Sequence, residues 1–148
     1  MEISGDGLTL VDARAALAAQ PFSVLVGTEI AEFGDGRAVL RLPKRPDLLQ
    51  QNGFVHGGVL AYLADNSVTF AAGTVMGAAV LTASVSVDYM RPAEGDLVAD
   101  ARVVARTSRL AVCECQIIAD GVVCAVAHGT VRPAGGRRER EMGARSGG

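Results

Sequence analysis

The sequence predicts an α+β protein in which one long central helix lies across a six-stranded antiparallel sheet. Three features support this fold class. Residues 59–76 are apolar on nearly every side, as expected for a helix that the rest of the protein encloses. Residues 81–89 alternate between apolar and polar side chains, with the period of a strand. The pair Asp120-Gly121 is a strong hairpin signal between two further strands. Because an all-apolar helix needs a sheet to cover it, we expect two packed layers.

The first part of the chain is predicted to contain one helix and one hairpin. Residues 8–19 are rich in alanine and are expected to form a short helix, which Pro21 stops. Residues 24–33 are expected to form a strand, residues 34–36 a turn, and residues 37–42 the hairpin partner.

The rest of the chain is predicted to supply the central helix and four strands. A loop over residues 43–51 leads to the helix, and Gly77 is expected to end it. The four strands are predicted at residues 81–89, 97–106, 109–119 and 122–132. In the first of these strands the side chains expected to face the core are Leu81, Ala83, Val85, Val87 and Tyr89.

Composition limits the functional classes. The 148 residues suffice for one domain with a sizeable core. The formal net charge of -2 provides no basic surface for nucleic acid, which argues against a nucleic-acid partner. Polar residues interrupt the apolar helix, so we do not expect it to span a membrane. The first six residues are polar and acidic and do not resemble a secretion signal.

The cysteines and the end of the chain give two further expectations. Cys113, Cys115 and Cys124 are odd in number and lack the spacing of a zinc or redox site, so buried free thiols are predicted. Free thiols indicate a reducing, cytoplasmic location. Residues 1–133 are expected to form the folded domain, whereas residues 134–148 are rich in Gly and Arg and are expected to be a disordered tail.

The most informative segment is the loop that runs into the central helix, which contains Asn52, His56, Gly57 and Gly58. A helix start offers unpaired N–H groups and the positive end of the helix dipole, which suit an oxyanion or a polarised carbonyl. Two glycines let a ligand approach the backbone closely. Asp65 follows two turns later, on a helix that is expected to be buried. A carboxylate there is unfavourable unless it is paired or used, so Asp65 is predicted to be an active-site residue.

This arrangement resembles the hotdog-fold acyl-CoA thioesterases. The motif Asn-Gly-x-x-His-Gly-Gly followed by an Asp on the helix is most similar to the branch that includes PaaI-like and human-type acyl-CoA thioesterases. Residues 88–93 and 125–130 resemble the end of the third strand and the last strand of that branch, and the resemblance extends over residues 22–132. It implies a hotdog fold and hydrolysis of acyl-CoA thioesters to free acid and CoA.

The resemblance also implies roles for individual residues. Asp65 matches the catalytic carboxylate of the family, and Gly57 matches the backbone N–H that stabilises the oxyanion. Gln50 matches an amide side chain that helps to hold the thioester or water. Thr82 matches a hydroxyl on the following strand, and His56 matches the family histidine, which either positions the loop or contacts the substrate.

Other residues are predicted to bind substrate. Thr69 lies one turn after the carboxylate on the same helix face, so either this hydroxyl or that of the strand is expected to place water. Asn52 and Gly58 belong to the loop motif. Arg91 and Arg109 are predicted to bind the phosphates of CoA, because the guanidinium group of arginine matches the geometry of a phosphate. Neither a metal nor a cofactor is expected, because CoA enters as the leaving group of the substrate.

The spacing of the two central residues predicts a shared site. Eight residues of helix separate Gly57 from Asp65, which corresponds to roughly 12 Å. Asp65 is therefore too far to act on a carbonyl held at Gly57 of its own helix. Two antiparallel helices from two chains would bring these residues together, so a symmetric homodimer with two shared sites is expected. The resemblance further implies pairing of dimers into tetramers.

Several alternatives stay open at the level of sequence. The carboxylate is expected to act either as a general base on water or as a nucleophile that forms an anhydride. The acyl group is not specified: aryl, phenylacetyl and medium-chain groups are all compatible. Two other functions compete with hydrolysis, namely a non-catalytic acyl-CoA-binding hotdog module and a hydratase that acts on enoyl thioesters.

Overall fold

The computed structural model describes residues 7–135 and confirms the α+β fold class. The elements in chain order are α1 (Leu10–Ala18), α2 (Pro21–Val26), β1 (Glu29–Gly34), β2 (Arg37–Leu42), a 3₁₀ turn (Pro46–Leu48), α3 (Gly57–Met76), β3 (Val80–Tyr89), β4 (Leu97–Arg106), β5 (Ala111–Ala119) and β6 (Val122–Pro133). Within this part of the chain no helix has the length and apolar character needed to cross a membrane. The predicted tail falls outside the described residues from residue 136 onwards.

One sheet contains all six strands, in the order β1-β2-β4-β5-β6-β3, and every neighbouring pair is antiparallel. Helix α3 lies across this sheet and contacts all six strands. The core forms between them, and its largest fully buried apolar side chains are Leu40, Leu42, Leu63, Leu97 and Ile117. The order leaves β1 and β3 as the two edge strands.

The ends of α3 follow from local sequence. The helix runs for 20 residues from Gly57, and Gly77 ends it with a positive φ of 91°. The Gly77 N–H donates to the Gly73 carbonyl at 3.0 Å, which satisfies one of the last carbonyls of the helix. The predicted stop is therefore confirmed.

The prediction of a strand over residues 24–33 was wrong in its first half. Residues Pro21–Val26 form the short helix α2, and strand β1 begins only at Glu29. Pro21 occupies the first position of this helix, where its missing N–H has no consequence, and Gly27 ends it with a φ of 87°. Proline thus separates two helices instead of helix from strand, and the apolar run of α2 was mistaken for a strand.

The prediction for β3 was also wrong in part, because a bulge interrupts the strand. The register shifts between Thr82 and Ser84, so alternation is reset within the strand. Before the bulge Thr82 faces the helix, and Leu81 is exposed together with Ala83. After it, alternation resumes with Val85 and Val87 half-buried, as predicted, whereas Tyr89 is half exposed. The shift brings a hydroxyl, and not a leucine, to the helix.

The hairpin between β5 and β6 confirms its turn signal. Asp120 and Gly121 both adopt positive φ, at 50° and 75°, as a tight turn between twisted strands requires. Strand β4 has the bounds that the sequence predicts, and β6 extends one residue further, to Pro133.

Candidate active site

The start of α3 is organised by His56. Its backbone lies just before the helix, and its Nδ1 accepts a hydrogen bond from the Gly58 N–H at 2.8 Å. An accepting Nδ1 places the proton of the neutral ring on Nε2. The Gly57 N–H donates to no acceptor within residues 7–135. His56 is therefore a helix cap, and of the two glycines Gly57 is the one with a free donor.

An added side chain would meet different surroundings at the two glycines. A Cβ at Gly58 would lie 3.0 Å from His56 Nδ1, so a side chain there would disturb the cap. A Cβ at Gly57 would lie 3.4 Å from the ring of Tyr89, which is an ordinary contact. The prediction that Gly58 takes part in substrate binding stays a prediction, but its N–H is already used by the histidine.

The loop before the helix is closed by Gln50. Its backbone N–H donates to the Phe54 carbonyl at 2.8 Å, and Gly53, with a φ of 87°, donates back to the Gln50 carbonyl at 3.0 Å. The side-chain oxygen of Gln50 accepts the N–H of Asn52, which is exposed at the loop tip. The amide oxygen thus shapes the loop, and within residues 7–135 the NH₂ group of this side chain donates to no acceptor.

Tyr89 belongs to the same end of the site, although sequence reasoning did not assign it a role. Its hydroxyl donates to the Gly57 carbonyl at 2.7 Å, which ties the end of β3 to the first turn of α3. The signal was present, because Tyr89 stands in the segment that carries the family resemblance. Its contact, however, joins residues 32 positions apart and could not be read from spacing.

The carboxylate forms a second cluster with two hydroxyls. Thr82 donates to Asp65 Oδ1 at 2.6 Å, and its oxygen lies 2.8 Å from Thr69 Oγ1. Thr69 Oγ1 also lies 2.9 Å from the backbone oxygen of Asp65. Each hydroxyl has one hydrogen to donate. Since Thr82 uses its hydrogen on the carboxylate, the single hydrogen of Thr69 is shared between two acceptors, the Asp65 backbone oxygen and the Thr82 oxygen. Thr82 therefore holds the carboxylate, and Thr69 lies behind it.

The expectation that Asp65 is buried was wrong for the single chain. Asp65 is exposed, whereas its neighbours Leu63 and Ala64 are fully buried. The sheet covers only one side of α3 and ends at the edge strand β3, so the face that carries Asp65 remains open. An exposed carboxylate needs no special pairing, and the case for its function depends on its position and contacts.

The structure separates the two groups of predicted site residues. Gly57 and Asp65 lie on the same helix, eight residues and roughly 12 Å apart. Arg91 donates its backbone N–H to the Cys124 carbonyl at the end of the sheet near the start of α3. Arg109 lies in the β4–β5 hairpin at the opposite end, roughly 30 Å away along the ten-residue strand β4. Both arginines are exposed, and one chain does not bring them together.

The cysteines are buried and free, as predicted. Burial raises the pKa of the Cys113 thiol to about 11, and burial likewise raises that of Cys115 to about 11. A thiol is nucleophilic as its thiolate, so these two groups are poorly suited to covalent chemistry near neutral pH. In residues 7–135 no three His, Cys, Asp or Glu side chains come together in a way that could hold a metal ion.

A long central helix wrapped by one six-stranded antiparallel sheet defines the hotdog class of proteins. The Thioesterase superfamily model matches residues 52–125, half of the chain. The chain belongs to the thioesterase superfamily. This membership supports thioester hydrolysis as the general reaction.

Individual relatives agree with this assignment. A proposed esterase from Halobacterium salinarum is 35% identical over 100 residues, which span 63% of this chain and 66% of that protein. A thioesterase family protein from Silicibacter pomeroyi is 29% identical, with a TM-score of 0.79 over 86% of this chain and all of the other. A single-site variant of the phenylacetic acid degradation protein PaaI from Thermus thermophilus is 30% identical, with a TM-score of 0.72 over 77% of this chain and 99% of the other.

Proposed function

We propose that this protein hydrolyses acyl-CoA thioesters to the free acid and CoA. The observation that carries the proposal is the pair of groups on α3: a free Gly57 N–H at its start and a carboxylate that Thr82 fixes two turns later. A donor for an oxyanion and a positioned proton acceptor are the two groups that acyl transfer to water requires. Similarity to a thioesterase family protein and to PaaI supports the same reaction.

The proposed reaction proceeds through a tetrahedral intermediate. Asp65 accepts a proton from water while the water oxygen forms a bond to the thioester carbon. The carbonyl oxygen gains negative charge, which the Gly57 N–H and the helix dipole stabilise. The intermediate then collapses, the C–S bond breaks, and the proton on Asp65 passes to the departing CoA sulfur. Direct attack by the carboxylate, with a mixed anhydride that water then cleaves, is the alternative route.

The site is proposed to be shared between two copies of the chain. Three observations support this: the roughly 12 Å between Gly57 and Asp65 of one helix, the open face around Asp65, and the free edge of the ten-residue strand β3. A long unpaired edge strand is a ready site for pairing with another chain. Antiparallel pairing of two β3 strands around a twofold axis would align the helices antiparallel and complete two equal sites.

The same arrangement gives a role to both arginines. Antiparallel pairing would bring the Arg109 end of one chain beside the Arg91 end of the other, whereas within one chain these two residues lie at opposite ends of the sheet. We propose that these guanidinium groups bind the phosphates of CoA from both copies, with Asn52 at the loop tip nearby. The three free thiols fit a reducing cytoplasm as the place of action.

The carboxylate is tested by Asp65→Asn in a thiol-release assay with acyl-CoA substrates. Turnover should fall by at least about a hundredfold, the lower end of what a positioned acid–base group contributes. The matched control is Asp35→Asn, at an exposed turn where Asn accepts the positive φ of 52°. The control should retain wild-type turnover. Near-normal turnover of Asp65→Asn would contradict the assignment, and no thiol release by the wild type would contradict hydrolysis altogether.

The shared site is tested by a mixed dimer of Asp65→Ala and Gln50→Ala chains, separately tagged and purified as the heterodimer. One site then carries both changes and the other carries neither, so the heterodimer should recover roughly half the wild-type rate. Gln50 contributes to the site either by contacting the substrate or by shaping its loop. The heterodimer is expected to recover activity in both cases. A heterodimer no more active than its better parent homodimer would rule out a cross-chain site.

A further inference from the structure

Gly57 joins two peptide groups at the start of α3, and hydrogen bonds restrain both of them. The carbonyl of the His56–Gly57 peptide accepts the Val59 N–H at 2.9 Å. In the Gly57–Gly58 peptide the N–H donates to His56 Nδ1 at 2.8 Å, and the carbonyl accepts the Tyr89 hydroxyl at 2.7 Å. His56 and Val59 are close to Gly57 in sequence, whereas Tyr89 lies 32 positions away at the end of β3. The tyrosine is therefore the contact that a separate element supplies.

The ring of Tyr89 also lies against Gly57. A Cβ at Gly57 would be 3.4 Å from Tyr89 Cε1 and 3.6 Å from its hydroxyl oxygen, so the ring packs over the bare Cα of the glycine. Tyr89 is half exposed, and burial in the core does not account for a tyrosine at this position. What its ring and its hydroxyl contact is the backbone of the residue that is proposed to stabilise the oxyanion.

The strand end that carries Tyr89 is itself held in place. Tyr89 pairs with Ala125 of β6, and the next residue, Met90, donates its backbone N–H to the Cys124 carbonyl at 2.8 Å. The phenol ring therefore extends from a hydrogen-bonded part of the sheet and not from a free loop. A side chain that is to fix the direction of another group needs a support of this kind.

The chemistry of the site makes such a restraint useful. An oxyanion donor is most effective when it is fixed before the charge develops. Glycine has the greatest backbone freedom of all residues, so a donor on Gly57 depends on other groups to keep its direction. Its N–H belongs to the first of the two peptides, and rotation about the bonds of Gly57 would turn one peptide relative to the other. Restraint of the second peptide by Tyr89 removes this freedom.

We propose that Tyr89 is a positioning residue: through the Gly57 carbonyl, its hydroxyl keeps the Gly57 N–H directed at the developing oxyanion. The inference rests on the proposed thioester hydrolysis and adds a residue to it. Strand β3 then serves both groups of the site, because Thr82 near its start holds the Asp65 carboxylate and Tyr89 at its end holds the donor.

The test is Tyr89→Phe, which removes the hydroxyl and leaves the ring against Gly57. Thiol release from an acyl-CoA gives kcat and KM. The kcat should fall about three- to tenfold, as for one lost hydrogen bond, and by less than the roughly hundredfold that loss of an oxyanion donor itself costs. The KM should stay within about twofold, because the hydroxyl contacts the backbone and not the substrate. The pH dependence of kcat should keep its wild-type shape, since a positioning residue exchanges no proton with the substrate.

The matched control is Tyr62→Phe, which removes the hydroxyl of the other tyrosine in the chain. That hydroxyl lies 2.6 Å from Ser23 Oγ and 2.8 Å from Thr28 Oγ1, in contacts that join α3 to α2 and the residues after it. The melting temperature of Tyr62→Phe should fall, while its kcat stays within about twofold of wild type. A kcat that falls in both variants in proportion to their loss of stability would overturn the positioning role.

Double variants distinguish action through the Gly57–Gly58 peptide from action elsewhere. His56→Ala releases the N–H of the same peptide, so Tyr89→Phe should lower kcat by a smaller factor in that background than in the wild type. Thr82→Val acts on the carboxylate, so its loss and that of Tyr89→Phe should multiply. Multiplication in both backgrounds would contradict a shared peptide.

Two further outcomes separate this inference from the function on which it rests. A wild-type kcat in Tyr89→Phe, or a rise in KM alone, would overturn the positioning role and leave thioester hydrolysis intact. Absence of thiol release by the wild type would overturn the proposed hydrolysis, and the role of Tyr89 with it.

Discussion

Thr82→Val tests whether the hydroxyl of β3 holds the Asp65 carboxylate, which we propose to be the catalytic one. Valine has nearly the shape of threonine and a high preference for strands, so the bulged strand should keep its path. The change removes the donor that lies 2.6 Å from Asp65 Oδ1, and with it the acceptor for Thr69. Thr69 then retains the Asp65 carbonyl, 2.9 Å away, as its partner. The carboxylate loses its fixed orientation, but no other described contact of the site is broken.

The magnitude follows from the kind of bond. A hydrogen bond to a charged group contributes about 1.5–3 kcal/mol. Because Asp65 is exposed and water competes for its oxygens, the lower end applies here. A loss of about 1.4 kcal/mol in the transition state corresponds to roughly a tenfold fall in kcat. Since Thr82 contacts the carboxylate, and not the loop at Gly57, KM should change little.

The assay is thiol release from an acyl-CoA at saturating substrate, with two matched variants. Thr82→Ser keeps the hydroxyl and should retain most of the wild-type kcat. Ser84→Ala removes a neighbouring hydroxyl of the same strand that bonds to Thr130 at 2.7 Å, outside the site, and should have no effect on kcat. If Thr82→Val hydrolyses the substrate at the wild-type rate, or if Ser84→Ala loses as much activity, the hydroxyl does not position the carboxylate.

Two further predictions concern the helix cap and the thiols. His56→Ala removes the acceptor of the Gly58 N–H. Because loss of a helix cap costs about 0.5–2 kcal/mol, the melting temperature should fall by roughly 2–6 °C. His56→Asn should restore most of the lost stability, and an unchanged melting temperature of His56→Ala would contradict the cap. Cys113 and Cys115 should resist a thiol reagent at pH 8 in the native protein, because a pKa raised to about 11 keeps each thiol protonated until the pH approaches that value. Urea should expose all three cysteines to the reagent. Rapid labelling of Cys113 or Cys115 in the native protein would refute their burial.

The sequence was most informative where the site is local. The start of α3 at Gly57, its stop at Gly77 and the position of Asp65 on it depend on caps, glycines and apolar residues within one segment, and these act over a few residues. Thr82 was identified by the family resemblance. Its contact with the carboxylate depends on a bulge that places it on the helix side, and the period-two pattern had assigned that side to Leu81.

The helix α2 shows why other parts could not be predicted. Its six residues are too few to display a helical period, and strand and helix patterns are then hard to distinguish. What holds it is a set of distant contacts: Tyr62 of α3 bonds to Ser23 at 2.6 Å and to Thr28 at 2.8 Å. Asn66 adds a bond to Ser23 at 3.2 Å. Tertiary hydrogen bonds of this kind override local preference and leave no mark in spacing.

The two glycines at the start of α3 differ in what their N–H groups contact, and the difference is set by His56. The first turn of any helix has backbone donors without partners inside the helix. His56 accepts the donor of Gly58, and its ring occupies the space that a side chain at that position would need. Gly57 is held differently, because its carbonyl accepts from Tyr89 while its own N–H has no acceptor in the part of the chain that the structure describes. The peptide group between His56 and Gly57 is thus anchored through its carbonyl, which accepts from the Val59 N–H at 2.9 Å, while its N–H is presented. In the proposed reaction this matters because a donor that does not move when charge develops stabilises an oxyanion most effectively.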